Sequence, residues 1–212
     1  MSLSRARVSR RSRRSTGGRA ILLTAAALAG TLTLAACDAG GAKSAGSAGG
    51  NYVTGSNGIS TAAKADRIEA PKLDGETVDG KTLDTTELKG KVVVLNVWGS
   101  WCPPCRGEAP YFAQVSKELE AAGQPVAFVG INTRDNTKEN AAAFEETYGI
   151  TYPSLFDPIG KLMLRFPEGS LNPKAIPSTI ILDKDGKIAA RTLAAVNAEK
   201  LRSMIDPVLA EQ

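Results

Sequence analysis

The sequence predicts an α/β domain with a mixed central sheet and helices on both faces, and three observations carry that expectation. Residues 91–98 (KVVVLNVW) form a near-continuous apolar run, as a central strand covered on both faces requires. Phe112, Val115, Leu119 and Ala122 follow at helical spacings of 3, 4 and 3, ahead of a second apolar run at residues 126–131, so the order reads βαβ. Residues 179–182 and 188–193 are joined through Lys184-Asp185-Gly186-Lys187, a connection short enough for an antiparallel pair. At 42% apolar residues, a chain of 212 has enough material for one such core.

The chain opens differently. Residues 1–36 hold seven arginines and no acidic residue, and residues 20–36 are apolar, the n-region and h-region of a secretory signal peptide. Leu34-Ala35-Ala36-Cys37 resembles a bacterial lipobox, which implies cleavage before Cys37, acylation of its thiol and new amino group, and a two-chain membrane anchor. A cut at an ordinary small-residue site, leaving Cys37 as a free thiol, stays open. The basicity resides in this leader. Without its seven arginines the 26 basic residues fall to 19 against 22 acidic ones, so residues 37–212 carry about −3 and give no reason to invoke nucleic acid. Residues 37–66, rich in Gly, Ala and Ser, are expected to be a flexible tether, although Tyr52-Val53 and Ile59 flank Asn57-Gly58 in a pattern that admits a small hairpin.

The folded domain is expected over residues 67–212. Asp74-Gly75 and Asp79-Gly80 bracket Thr77-Val78, with Thr82-Leu83 following, a signal of short strands and turns. The strand at 91–98 and the helix stopped by Gly123 come next, then the strand at 126–131. Asn136 with Glu139 resembles a capping arrangement for a helix through Tyr148, closed by Gly149. After the antiparallel pair, Leu201, Met204, Ile205 and Val208 mark one face of a final helix starting near Asn197.

The chemistry lies at Trp101-Cys102-Pro103-Pro104-Cys105, just past the strong strand and at the start of a helix. Two intervening residues let both thiols lie in one helical turn and close a small ring. At a helix N-terminus the first cysteine meets backbone N–H groups and the positive end of the dipole, which favours its thiolate and makes Cys102 the attacking sulfur. Cys105, one turn in, is the resolving thiol. With no histidine in the chain, Ser-His-Asp and Cys-His catalysis are excluded, and a zinc site at the pair would lack two ligands. A purely structural bridge over so small a loop would add roughly 2 kcal/mol.

Residues 96–110 (NVWGSWCPPCRGEAP) resemble the active-site segment of the TlpA/ResA branch of thioredoxin-like thiol-disulfide oxidoreductases. The resemblance spans roughly residues 68 to 210, including the early strand-turn segment, the helix from Asn136 and Ile176-Pro177-Ser178-Thr179. It implies a thioredoxin-like fold with an N-terminal β extension and an inserted helix. It makes Cys102 and Cys105 the redox pair, with no other cofactor and no metal. Pro177 matches the cis-proline facing the disulfide; Ile176, Trp101, Pro103 and Pro104 line the substrate groove with it. Glu108 matches an acidic residue near the thiols, able to move a proton during exchange; complementing the helix dipole is its plainer reading. Asn96 stands where thioredoxins carry a buried acid, so proton transfer to Cys105 falls to Glu108 or water.

The implied function is a reductant lipid-anchored on the extracytoplasmic face of the cell membrane. Its implied partners are protein thiols and disulfides, including apocytochrome c during cytochrome c biogenesis, and a CcdA-like membrane thiol donor. A thiol oxidase or isomerase is the alternative within redox chemistry; a non-catalytic binding lipoprotein with a structural disulfide is the alternative outside it.

Overall fold

The computed structural model describes residues 51–211; the expected signal peptide, the expected acylation site Cys37 and the first part of the expected tether lie outside them. A seven-stranded mixed sheet forms the frame. In chain order its strands are β1 (Val53–Thr54), β2 (Ser60–Thr61), β5 (Val92–Trp98), β6 (Val126–Thr133), β7 (Ser154–Asp157), β8 (Ser178–Leu182) and β9 (Ile188–Thr192). They lie in the order β1-β2-β9-β8-β5-β6-β7, while β3 (Asp74–Glu76) and β4 (Thr82–Asp84) make a separate hairpin. The expected central strand is β5, all seven residues of which are buried. It pairs in parallel with β6 and antiparallel with β8, so it has no free edge.

Alternation along β5 divides the core. Val92 and Val94 face a layer made by α1 (Pro103–Ala121) and α3 (Ala198–Leu209), through Phe112, Val115, Leu201, Met204 and Ile205. Val93, Leu95 and Val97 face the other way, onto Leu73, Leu155, Met163 and Phe166. Helical cover on that second face, among the described residues, comes from 3₁₀ turns, Met163–Arg165 and Thr85–Leu88, the latter through Leu88. A third cluster joins Trp98, Cys102 and Cys105 to Phe144 of α2 (Lys138–Tyr148), with the Trp98 and Phe144 rings stacked at 4.4 Å.

The structure departs from the sequence reading in three places. Residues 53–61, assigned to the tether, form a hairpin whose second strand pairs with β9, Ser60 opposite Arg191 and Thr61 opposite Ala190. Ile59 anchors it at 6% exposure, and the Thr192 hydroxyl donates to the Gly58 carbonyl at 3.1 Å. Backbone pairing and one buried isoleucine therefore outweigh the Gly/Ser-rich composition. The N-cap of α2 is Thr137, whose hydroxyl accepts from the Asn140 N–H, one position later than Asn136; Gly149 closes the helix in the left-handed region at φ 67° as expected. Finally, β7 adds a parallel edge strand that four residues after Pro153 did not announce.

Candidate functional site

The cysteine pair sits where β5 hands over to α1. Cys102 is the N-cap residue, in extended geometry (φ −90°, ψ 108°), and its sulfur is joined to that of Cys105 in a disulfide with a Cα–Cα distance of 5.3 Å. Pro103 and Pro104 fill the first two helical positions, where a fixed φ suits the helix but no N–H exists. The sequence reading put several N–H groups at Cys102; the structure leaves one, because Cys105 N–H is the first available and points at Cys102 Sγ across 3.3 Å. Both sulfur-bearing residues are nearly buried, Cys102 at 2% and Cys105 at 1% exposure.

Ile176 and Pro177 come to this sulfur from the loop ahead of β8. The Ile176–Pro177 bond is cis, and the Ile176 carbonyl oxygen lies 3.9 Å from Cys102 Sγ. In the disulfide this is a contact only; a reduced Cys102 thiol could donate across it. Trp101 forms the opposite rim, 44% exposed, with its indole N–H donating to Thr133 O at 3.3 Å. The Arg134 guanidinium lies 4.8 Å from the Trp101 ring centroid, a cation–π contact of about 0.5–1 kcal/mol at an exposed site. Pro103 and Pro104 are exposed beside it.

Glu108 is 1% exposed on the second turn of α1. One carboxylate oxygen accepts from Asn96 Nδ2 at 2.8 Å and the other from Val196 N–H at 3.1 Å; neither bonds a cysteine. Burial pushes Glu108 up to about 7, against the opposing pull of those two donors and of Lys200. A carboxyl so tuned can take and release a proton near neutral pH. Glu108 also lines a cleft of about 690 Å³ with Pro104, Tyr111, Val196 and Lys200, and Asn57 of the β1–β2 turn shares its wall.

Sequence reasoning missed two of the groups that hold the site. Asn96 appeared only as a missing acid, whereas it is the donor that orients Glu108. Asp135, 3% exposed, accepts from the Ser100 N–H at 2.9 Å, from the Ser100 hydroxyl and from Asn132 Nδ2 at 2.5 Å, clamping the loop that leads into Cys102. The only signal for Asp135 was its place just past a buried strand, and that becomes meaningful once Trp98 is known to lie opposite Asn132 in the parallel pair.

A sequence profile of the family described as Redoxin matches residues 63–209. The chain is 30% identical over 138 residues to thioredoxin-like protein YneN of Bacillus subtilis, covering 65% of this chain and 77% of that protein. It is 29% identical over 140 residues to thiol-disulfide oxidoreductase ResA of Bacillus thuringiensis, covering 66% and 76%. Among solved structures, a secreted thiol-disulfide isomerase from Corynebacterium glutamicum superposes with a TM-score of 0.67 at 32% identity, covering 77% of this chain and all of that one. A DsbF homologue from Corynebacterium diphtheriae gives 0.65 at 35% identity, covering 72% and 94%.

Proposed function

The chain belongs to the Redoxin family, and from that premise we propose that this thioredoxin-fold thiol-disulfide oxidoreductase works outside the cytoplasm as a reductant of protein disulfides. The observation that carries the reading is the Cys102 environment: a helix N-cap sulfur, its resolving partner one turn away, and the carbonyl of Ile176, ahead of the cis-proline, 3.9 Å off.

The exchange proceeds in two displacements. Cys102 thiolate attacks one sulfur of a substrate disulfide, forming a mixed disulfide as the second substrate sulfur leaves as thiolate. Cys105, as thiolate, then attacks Cys102 Sγ, closing the intramolecular disulfide and releasing the first substrate sulfur. Two electrons pass to the substrate, and two protons are taken up by its thiolates. Glu108, poised near neutral pH and lining a cleft, carries the proton lost by Cys105. Trp101, Pro103, Pro104, Ile176 and Pro177 form the walls against which the substrate chain lies.

The helix start supports that direction. Strong thiol oxidants owe their potential to a stabilised reduced form. Two prolines leave Cys102 with one N–H donor, so its thiolate gains little and the disulfide is comparatively hard to reduce. The C. glutamicum relative is described as an isomerase, and that reading is favoured instead if scrambled disulfides are reshuffled without net reduction.

Location rests on the leader and the lipobox, with Cys37 as the lipid attachment point; among the described residues no helix is long and apolar enough to cross a membrane. A membrane thiol donor of the CcdA kind would then recharge the pair, and apocytochrome c would be one substrate. The test is to replace Cys105 with Ser in cells and identify what is trapped on Cys102. Apocytochrome c or other exported thiol proteins are expected; failure to trap any partner, with no disulfide reduction by the purified protein, would sink the reading.

A further inference from the structure

Six arginines stand among the described residues, and three of them pair with carboxylates. Arg67, Arg165 and Arg202 bond carboxylates, and Arg191 lies 4.3 Å over the Tyr52 ring. The other two, Arg106 and Arg134, are exposed, have no carboxylate partner, and both flank the disulfide. Arg106 occupies the first turn of α1, where its Nε donates to Ser100 O at 2.8 Å. Arg134 lies over Trp101, and the next residue, Asp135, bonds the Ser100 N–H, so one loop links the two guanidinium groups.

Each placement carries a cost to the fold. A cation in the first turn of a helix opposes the dipole. Arg134 has φ 59°, a left-handed backbone that a side chain of this size rarely adopts. Backbone outliers of that kind concentrate where function requires them. The acids close by are already committed: Asp135 to Ser100 and Asn132, Asp157 to the N–H groups of Lys161 and Leu162, and Glu108 to Asn96 and Val196. Arg106 and Arg134 are thus exposed cations without a carboxylate partner beside the disulfide, on a chain that is net acidic from residue 37 onward.

We propose that Arg106 and Arg134 form a docking edge for an acidic polypeptide segment next to the cysteines of the partner protein, laid across the Trp101 ring. The proposal rests on the reading that this protein exchanges disulfides with protein substrates. An acidic partner meets opposite charge in Arg106 and Arg134 beside Cys102 on a chain that is net acidic, so these two groups orient the encounter before any sulfur is touched.

The probes are three synthetic peptides that share one intramolecular disulfide flanked by aspartates, serines or lysines. Their reduction by the purified, reduced protein is timed. At low ionic strength the aspartate peptide is expected to react about tenfold faster than the lysine peptide. The ratio should approach one in about 1 M salt, where the screening length is ~3 Å. Arg106→Glu/Arg134→Glu should invert the preference. Arg134→Gly, which suits the left-handed backbone and so folds, should reduce it. Lys89→Glu, the same charge change next to Gly90 at the far end of β5, should keep it. Equal rates for all three peptides, with the serine peptide still reduced, overturn the docking edge and leave the oxidoreductase reading standing. No reduction of any peptide overturns both. A preference untouched by the arginine changes overturns the assignment to these residues. Binding to anionic vesicles that the double variant loses, without peptide preference, would assign the edge to a membrane surface and overturn it too.

Discussion

Asn96 donates its side-chain amide to Glu108 across 2.8 Å, tying the middle of β5 to the second turn of α1 beneath the cysteine pair. Both groups that hold Glu108 are donors, which suits the carboxylate, yet burial prevails and holds it up at about 7.

That balance fixes a pH dependence. Between the ordinary value of 4.5 and about 7, folded Glu108 keeps a proton that the unfolded chain has released. Its contribution is therefore most favourable at acid pH and declines as pH rises to about 7, by at most roughly 3 kcal/mol. Urea unfolding of the oxidised protein at pH 5 and pH 8 should show a lower midpoint at pH 8, and Glu108→Gln should shrink the difference. An unchanged difference in the variant would show that Glu108 is not the titrating group. The same substitution should remove an inflection near neutral pH from the rate at which Cys105 resolves the mixed disulfide.

Pro104 withholds a backbone donor from Cys102. Pro104→Ala restores an N–H at the second helical position and should stabilise the thiolate by about 0.5–1 kcal/mol, raising the two-electron potential by roughly 10–20 mV. Equilibration with glutathione measures it. A potential that stays put or falls would contradict the account of direction given above.

Gly130 in β6 has no room for a side chain. A Cβ there would meet Ser154 Oγ and Cβ, the latter at 2.8 Å, and Trp98 Nε1 at 2.7 Å. Gly130→Ala should cost about 1–3 kcal/mol by overpacking. Because Trp98 packs in the same cluster as Cys102 and Cys105, peptide reduction should slow as well. Wild-type stability in a urea titration would refute the packing argument.

Deleting residues up to 62 should cost more than a disordered segment could. It exposes the β9 edge and removes Ile59, whose burial is worth about 1.5–3 kcal/mol. Urea denaturation of the shortened chain against the full one measures the loss, and self-association is the expected companion of an open edge. Equal stability would mean the hairpin contributes nothing.

What could be read from sequence divides along physical lines. The β5 run, the α1 spacing and the Gly149 stop were legible because each is a local pattern with one structural answer. The cysteine pair was legible because its spacing is itself the chemistry. The β1–β2 hairpin and β7 were not, since strands of two and four residues gain their stability from a neighbour that sequence does not reveal. Asp135 and Arg134 act on the site only because β5 and β6 run parallel in register, bringing residues 35 positions apart to one loop.

The hairpin at Val53–Thr61 also sets where mechanical load goes. A pull on the chain ahead of Tyr52 enters β1, at the edge of the sheet, and can peel β1 and β2 away pair by pair. Three further strands, β9, β8 and β5, separate that edge from α1, and β5 is locked by ladders on both sides. The redox turn is thus insulated from tension applied through the N-terminal side, and the first strands to yield are the ones whose loss moves no sulfur.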